Sequence, residues 1–431
     1  MAETGAIRAV QAKRQVSGSG ELRATLAAAA VFLAVAGLLF YRSSRGGLEL
    51  RDFRDAVYYP VVSLLEGHNP YDTARHMATY PVEQIFPPYP PLILALHLPF
   101  GFLPFELAQV AYFATTVVLL AALSYVTLLA CALPATGKRV FGLATLLILS
   151  RPGYWNLALG QVSVPVVIGT YLALRYGAER EWLSGLGLAL ALLKPTYGLP
   201  LAVLLLVRRH ARPVIYGGGI AALLAAIPTA ALLHSAGGPG PFVASLQQSY
   251  ARFQANPDAG VNRFPGRVDA VALIVRLFGH GAHLAGEGAI SLTILALGVL
   301  AVRRLAGERD AGARALSNSV VCLTILTFAY HQAYDLLLLA LPLVALASDR
   351  WAPAGVTTPR LRWILLALLG LPAANYLAAR PTLNFIDAGS PWVTVLMSMN
   401  ASALIVALCI CLAVALRSRP AHNARLTPLP R

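Results

Sequence analysis

Twelve apolar runs punctuate this 431-residue chain, near 24–41, 106–132, 138–150, 160–175, 183–193, 197–207, 213–233, 287–302, 317–330, 333–348, 361–377 and 391–416. Only 12% of the residues are charged and 57% are hydrophobic, against about 25% charged in an ordinary globular domain. A single aqueous core cannot hold that much apolar chain, since cores stop growing near ~250–300 residues. The expected fold is an all-α polytopic membrane protein, because a helix satisfies its own backbone donors and acceptors in lipid. We read about twelve transmembrane helices. Several runs fall short of the ~20 residues a lone span needs, so those are expected to be broken or re-entrant and buried among their neighbours.

The formal charge of +15 would suggest nucleic acid in a soluble protein. Here its placement matters more, and no nucleic-acid partner is expected. With the N-terminus in the cytoplasm, the basic residues fall in the turns that the positive-inside rule assigns to that side. These are Arg8, Lys13, Arg14 and Arg23 in a leader over 1–23, then Lys138/Arg139, Arg175/Arg180, Arg208/Arg209/Arg212, Arg303/Arg304/Arg309/Arg314 and Arg350/Arg360/Arg362. A basic tail over 417–431 adds Arg417, Arg419, Arg425 and Arg431, leaving 24–416 as the transmembrane domain. No small-x-small cleavage site precedes Tyr41-Arg42, so the first apolar run is expected to stay as an uncleaved helix.

The opposite side carries two long connections, 42–105 and 234–286. The first holds Glu49, Asp52, Asp55, Glu66, Asp72 and Glu83, six of the chain's 19 acids. Long connections in a compact protein are usually functional or disordered, so chemistry is expected to face the extracytoplasmic side. Apolar segments 91–103 and 268–279, within these loops, are too short to span and read as interfacial helices. No internal repeat is visible, and the four cysteines lie inside apolar runs without metal-ligand spacing. Neither a disulfide nor a cysteine metal site is expected.

Within this frame a few polar groups interrupt apolar sequence. Arg51-Asp52-Phe53-Arg54-Asp55 sits just before an apolar helix expected at 57–65. A carboxylate held there, partly desolvated and near arginines, can act as a base towards a hydroxyl; an acid favourable to a helix N-terminus is the plainer reading. Glu66-Gly67-His68-Asn69-Pro70-Tyr71-Asp72 has the composition of a turn, and Phe86-Pro87-Pro88-Tyr89-Pro90-Pro91 that of a rigid elbow. Lys194 breaks an apolar stretch near the outer surface, suited to a phosphate or to snorkelling. His331 and Tyr334 lie in a third interruption, Tyr330 to Asp335, and Gly160-Gln161 opens a span. In the second loop, Gln247 to Phe253 and Asn262 to Arg267 mix polar and aromatic residues in a way that suits a sugar or a phosphate.

The order of these elements resembles glycosyltransferase family 87. The resemblance runs through Asp55 with Tyr59 four residues on, Gly67-His68-Asn69-Pro70-Tyr71-Asp72, Tyr89-Pro90-Pro91, Leu103-Pro104-Phe105, Gly160-Gln161, Gly185-x-Gly187 with Lys194-Pro195, and the His331 interruption. It implies a GT-C type helical bundle in a bacterial plasma membrane, a polyprenyl-phosphate-sugar donor, a glycan or glycolipid acceptor hydroxyl entering from outside, and transfer of a hexose such as mannose with inversion. Asp55 best matches the expected base, and Asp52 is its rival. Lys194, His331 and Arg267 are the expected holders of the donor phosphate, and Tyr59, Asn69, Tyr89, Gln161 and Tyr334 the expected substrate contacts. Sequence shows no aspartate pair suited to a divalent ion, so no metal ligand and no cofactor is predicted, although the pattern does not forbid a divalent ion. The rival class, a lipid or sugar transporter or flippase, would be equally polytopic, but ionisable residues in mid-span are few.

Overall fold

A computed structural model describes residues 2–45, 50–255, 266–278, 284–306, 308, 310–353, 358–386 and 390–418. Glu49, Asn262 to Pro265, Arg309 and the basic tail from 419 onward lie outside the described residues. Among the described residues the chain is helical, and the one extended pairing is an antiparallel bridge between Arg267 and Gln332.

Six helical segments are long and apolar enough to cross a membrane: Gly20–Ser43, Phe105–Ala130, Ala211–Ser235, Gly286–Leu305, Ala311–Phe328 and Pro391–Arg417. The other six apolar runs also fold as helices, but of 16 residues or fewer, as in Ser163–Tyr176, Glu181–Ala191, Pro195–Val207 and Pro359–Ala374. Burial sorts them. The window of the first span is 11% buried, whereas that of Ala311–Phe328 is 78% buried and forms the middle of the bundle.

Close packing of the short helices rests on glycine. A Cβ on Gly169 would lie 2.4 Å from the Gly187 carbonyl oxygen, and one on Gly217 would lie 2.8 Å from that of Gly185. The Gly185-x-Gly187 pair thus lets helix Glu181–Ala191 press against a neighbour on each side, the usual way helices approach in lipid.

Three helices carry an arginine at or just beyond one end and a polar residue of the candidate site at or just beyond the other. Ser163–Tyr176 starts at Ser163 and has Arg175 in its last turn. Pro195–Val207 begins after Lys194 and ends before Arg208. Ala311–Phe328 has Arg314 in its first turn and leads into Tyr330-His331. At 1.5 Å rise per residue, roughly 20 to 27 Å separates the two ends.

The expected loop helices form at Leu92–Gly101 and Ala270–Phe278. The helix expected at 57–65 instead starts earlier and in three pieces: a turn Arg51–Phe53, a π-helical stretch Arg54–Tyr58, and Tyr59–Leu65. Pro60 explains the break in register. It has no N–H to give to the carbonyl four residues back, and the ladder widens so that the Tyr59 amide reaches Arg54. Helix Pro239–Ala255 of the second loop packs over the first loop, with Asn69 Nδ2 donating to Ser245 Oγ at 3.0 Å and Arg252 to Thr73 Oγ1 at 2.5 Å.

Candidate active site

The site grows from one tight turn. Helix Arg151–Leu159 ends at Gly160, whose φ of 71° is left-handed and favours glycine. A Cβ there would also stand 2.5 Å from Phe53 Cβ. With no side chain in the way, the turn presses on the Arg51–Phe53 segment and Gln161 donates to Asp52 Oδ2. Two residues on, Ser163 reaches a second carboxylate, Asp335.

Asp52 is largely buried, its side chain 13% exposed. Among the described residues its hydrogen bond comes from the neutral Gln161 amide, and the Arg51 guanidinium stands off at 3.9 Å. Burial outweighs these favourable contacts and pushes its carboxyl up to about 6. Asp55, three residues away, is in a different situation. It is fully buried, accepts from Arg54 Nε at 2.7 Å, and takes the backbone amides of Glu83 and Gln84 at 3.2 and 3.0 Å. Arg54 also pairs with Glu83 at 3.1 Å. Asp55 therefore ties the two arms of the first loop together.

Asp335 is the centre of the second group. Its Oδ1 accepts from Lys194 Nζ at 2.9 Å and Ser163 Oγ at 2.7 Å, and its Oδ2 accepts from the Gln332 amide at 3.0 Å with His331 Nδ1 at 3.2 Å. Lys194 Nζ also donates to Ser163 at 2.7 Å and lies 4.6 Å from the centre of the Tyr334 ring. Lys194, Ser163, His331 and Asp335 are all buried. His331 stands edge-on to Tyr197, and among the described residues its Nε2 has no hydrogen-bond partner.

The two groups are neighbours. Lys194 acts electrostatically on Asp52, and the Tyr89 phenol, raised by burial, feels both Asp52 and Asp335. Arg267 joins the edge of the cluster with its guanidinium 4.8 Å from the Tyr330 ring centre, and the Val268 amide donates to the His331 carbonyl at 3.0 Å. Its ion pair is with Asp269, two parallel bonds of 2.9 Å.

Of the residues singled out in the sequence, Asp52, Tyr89, Gln161, Lys194, Arg267, His331 and Tyr334 come together, with Asp55 adjoining. Tyr59 and Asn69 do not join them. Tyr59 packs among Tyr58, Tyr80 and Phe105, and Asn69 braces the loop by accepting from the Tyr71 amide. Sequence reasoning assigned no role to Ser163, Asp269 or Asp335. The spacing His331-x3-Asp335 and Arg267-x-Asp269 carried a signal for the two acids. Nothing local marked Ser163. Among the described residues no group of three or more His, Cys, Asp or Glu gathers to hold a metal ion.

A helical bundle with six segments long and apolar enough to cross a membrane, and with buried acids and cations gathered at one end of its central helices, defines a membrane protein with a buried polar site. The sequence model of glycosyltransferase family 87 matches residues 86–329, more than half of the chain, and the chain belongs to that family. It is a membrane glycosyltransferase. The matched stretch starts beyond Asp52 and Asp55 and stops just before Tyr330. No curated protein and no solved structure matches the chain.

Proposed function

We propose that the protein moves a hexose, mannose being the first to test, from a polyprenyl-phosphate donor to a hydroxyl of an extracytoplasmic glycan or glycolipid, with inversion at the anomeric carbon. In this reading Asp52 is the general base, and Asp55 anchors the loop that holds it. The observation that carries this is the unequal coordination of the two acids. Asp55 is committed to a guanidinium and two amides, whereas Asp52, among the described residues, accepts one hydrogen bond from a neutral amide, with the Arg51 guanidinium 3.9 Å away and a carboxyl raised to about 6. A base poised near the working pH is the more effective one.

Asp52 takes the proton from the acceptor hydroxyl as its oxygen bonds to the anomeric carbon. The bond from that carbon to the phosphate oxygen breaks, and its electron pair leaves with the lipid phosphate. Phosphate is a good leaving group, so the site needs cations for the departing charge more than it needs an acid. Lys194 and Arg267 supply them, joined by His331 when its ring carries a second proton, with Asp335 and Asp269 holding these side chains in position. The reading also takes the arginine-bearing ends of the short helices as cytoplasmic, on the strength of the positive-inside distribution, and the bundle as a GT-C arrangement in a bacterial plasma membrane, on the strength of the family match.

Reconstitution with radiolabelled polyprenyl-phosphate hexoses tests it. Donor consumed by the wild type and spared by Asp52→Asn is the expected result, with Asp55→Asn keeping measurable turnover. Undiminished consumption in Asp52→Asn would remove the base assignment. For sidedness, Glu83→Cys is expected to react with an impermeant thiol reagent added outside cells, and reaction only in inverted vesicles would turn the map over.

A further inference from the structure

Arg151 opens helix Arg151–Leu159 and is 2% exposed. Its guanidinium donates to the carbonyls of Asn375 (Nη1, 2.7 Å) and Ala378 (Nη2, 3.0 Å), in the turn that follows helix Pro359–Ala374. Among the described residues no carboxylate pairs with it, and its Nε has no hydrogen-bond partner. A buried cation without a counter-charge is destabilising in any protein and more so beside lipid. An uncharged amide would join the same segments at a smaller desolvation cost.

What this charge holds explains its presence. The helix is nine residues long, about 14 Å. At its start, Gly153 lies so close to the preceding helix that a Cβ would stand 1.8 Å from the Leu147 carbonyl oxygen. Along its length Asn156 donates to the Tyr334 carbonyl at 2.9 Å, and beyond its end Gln161 donates to Asp52. The turn that receives Arg151 is itself fixed, because Asn375 Nδ2 donates to Asn400 Oδ1 at 2.8 Å. A short strut therefore runs from a clamped turn to the candidate base.

We infer that Arg151 is a positioning residue: by pinning one end of helix Arg151–Leu159 to the 375–378 turn, it fixes the reach of Gln161 to Asp52 at the other end. This rests on the reading of Asp52 as the base. The groups facing Asp52 are Arg51, Gln161, Asp55 and Lys194, with the phenols of Tyr89, Tyr112 and Tyr334 nearby. Gln161 sits at the end of the strut, Tyr334 is tied to the strut through Asn156, and the Tyr112 hydroxyl donates to the Gln161 carbonyl at 3.2 Å; the others come from elsewhere in the fold. Donation from Gln161 favours the ionised carboxylate, so a loosened strut moves the acidic limb of the rate profile to higher pH.

The test is kcat/KM against pH for wild type, Arg151→Gln, Arg151→Lys, Asn375→Ala, Gln161→Leu and the Arg151→Gln, Gln161→Leu double variant, each in the reconstituted full chain. Arg151→Gln and Gln161→Leu are each expected to shift the limb upward by about one pH unit, roughly tenfold in rate below it. Arg151→Lys retains the wild-type limb, and the double variant shifts no further than a single one. If Arg151→Gln does not fold, Asn375→Ala loosens the same clamp from the other side and is expected to shift the limb by less. A loss of rate equal at every pH, in whichever of these two variants folds, overturns the inference. A limb moved by Gln161→Leu but by neither clamp variant removes the clamp and spares the base. A wild-type profile without a limb near pH 6 removes both.

Discussion

Two carboxylates sit on either side of the Gly160 turn, and the fold treats them oppositely. Asp335 is saturated: a lysine, a serine, an imidazole and a backbone amide divide its two oxygens among them. Asp52 is almost as hidden but accepts one neutral amide, with its nearest cation 3.9 Å away. The first arrangement cancels a charge in order to hold cations in place. The second leaves a charge only partly compensated, which in a buried site raises the affinity for a proton. Under the proposed function, that difference is what separates the acid that holds cations from the acid that takes the proton.

The largest effect should come from breaking the reactive member. Asp52→Asn is expected to lower kcat by about 10³-fold, or ~4 kcal/mol in the barrier, with an unchanged melting temperature. A fall in stability matching the fall in rate would make the two acids alike. Lys194→Met attacks the saturated member. Removing one partner of a buried pair costs about 3–5 kcal/mol, so this variant should lose thermal stability in detergent as well as activity, and a stable, inactive protein would contradict the holding role of Asp335. Gly160→Ala acts on the turn between them. A left-handed alanine costs about 1–2 kcal/mol, and the approach to Phe53 adds to it; the variant is expected to melt lower and to turn over more slowly, and wild-type behaviour would show that the turn gives way.

The smallest effect is a shape. Because burial raises the Asp52 carboxyl to about 6, the ionised fraction, and with it kcat/KM, should fall as pH drops through 6 and level off above about 7. A limb near pH 4 would show that Asp52 is better solvated than its burial implies.

The apolar runs are legible in the sequence, because a span announces itself by length and composition alone. The break at Arg54–Tyr58 is not, since it depends on how Pro60 disturbs a ladder that also starts at a left-handed Leu50. For the site, Lys194 and His331 stood out as polar residues in greasy surroundings. Asp335 lay in the same hexapeptide without a role, because an acid gains meaning only from its partners. Ser163 and Arg151 act on groups 172 and 224 residues away, and no local pattern reports contacts of that range. Tyr59 and Asn69 were singled out for their place in a motif, and packing uses them as braces.

The Lys194 to Asp335 pair also has a consequence for biosynthesis. The two residues are 141 apart in sequence, so when the lysine leaves the ribosome its counter-charge has not yet been made. Helix Pro195–Val207, at 13 residues, is too short to settle across a bilayer unaided. It must wait near the head groups until the later helices arrive, so this part of the bundle assembles after translation of the C-terminal third has begun.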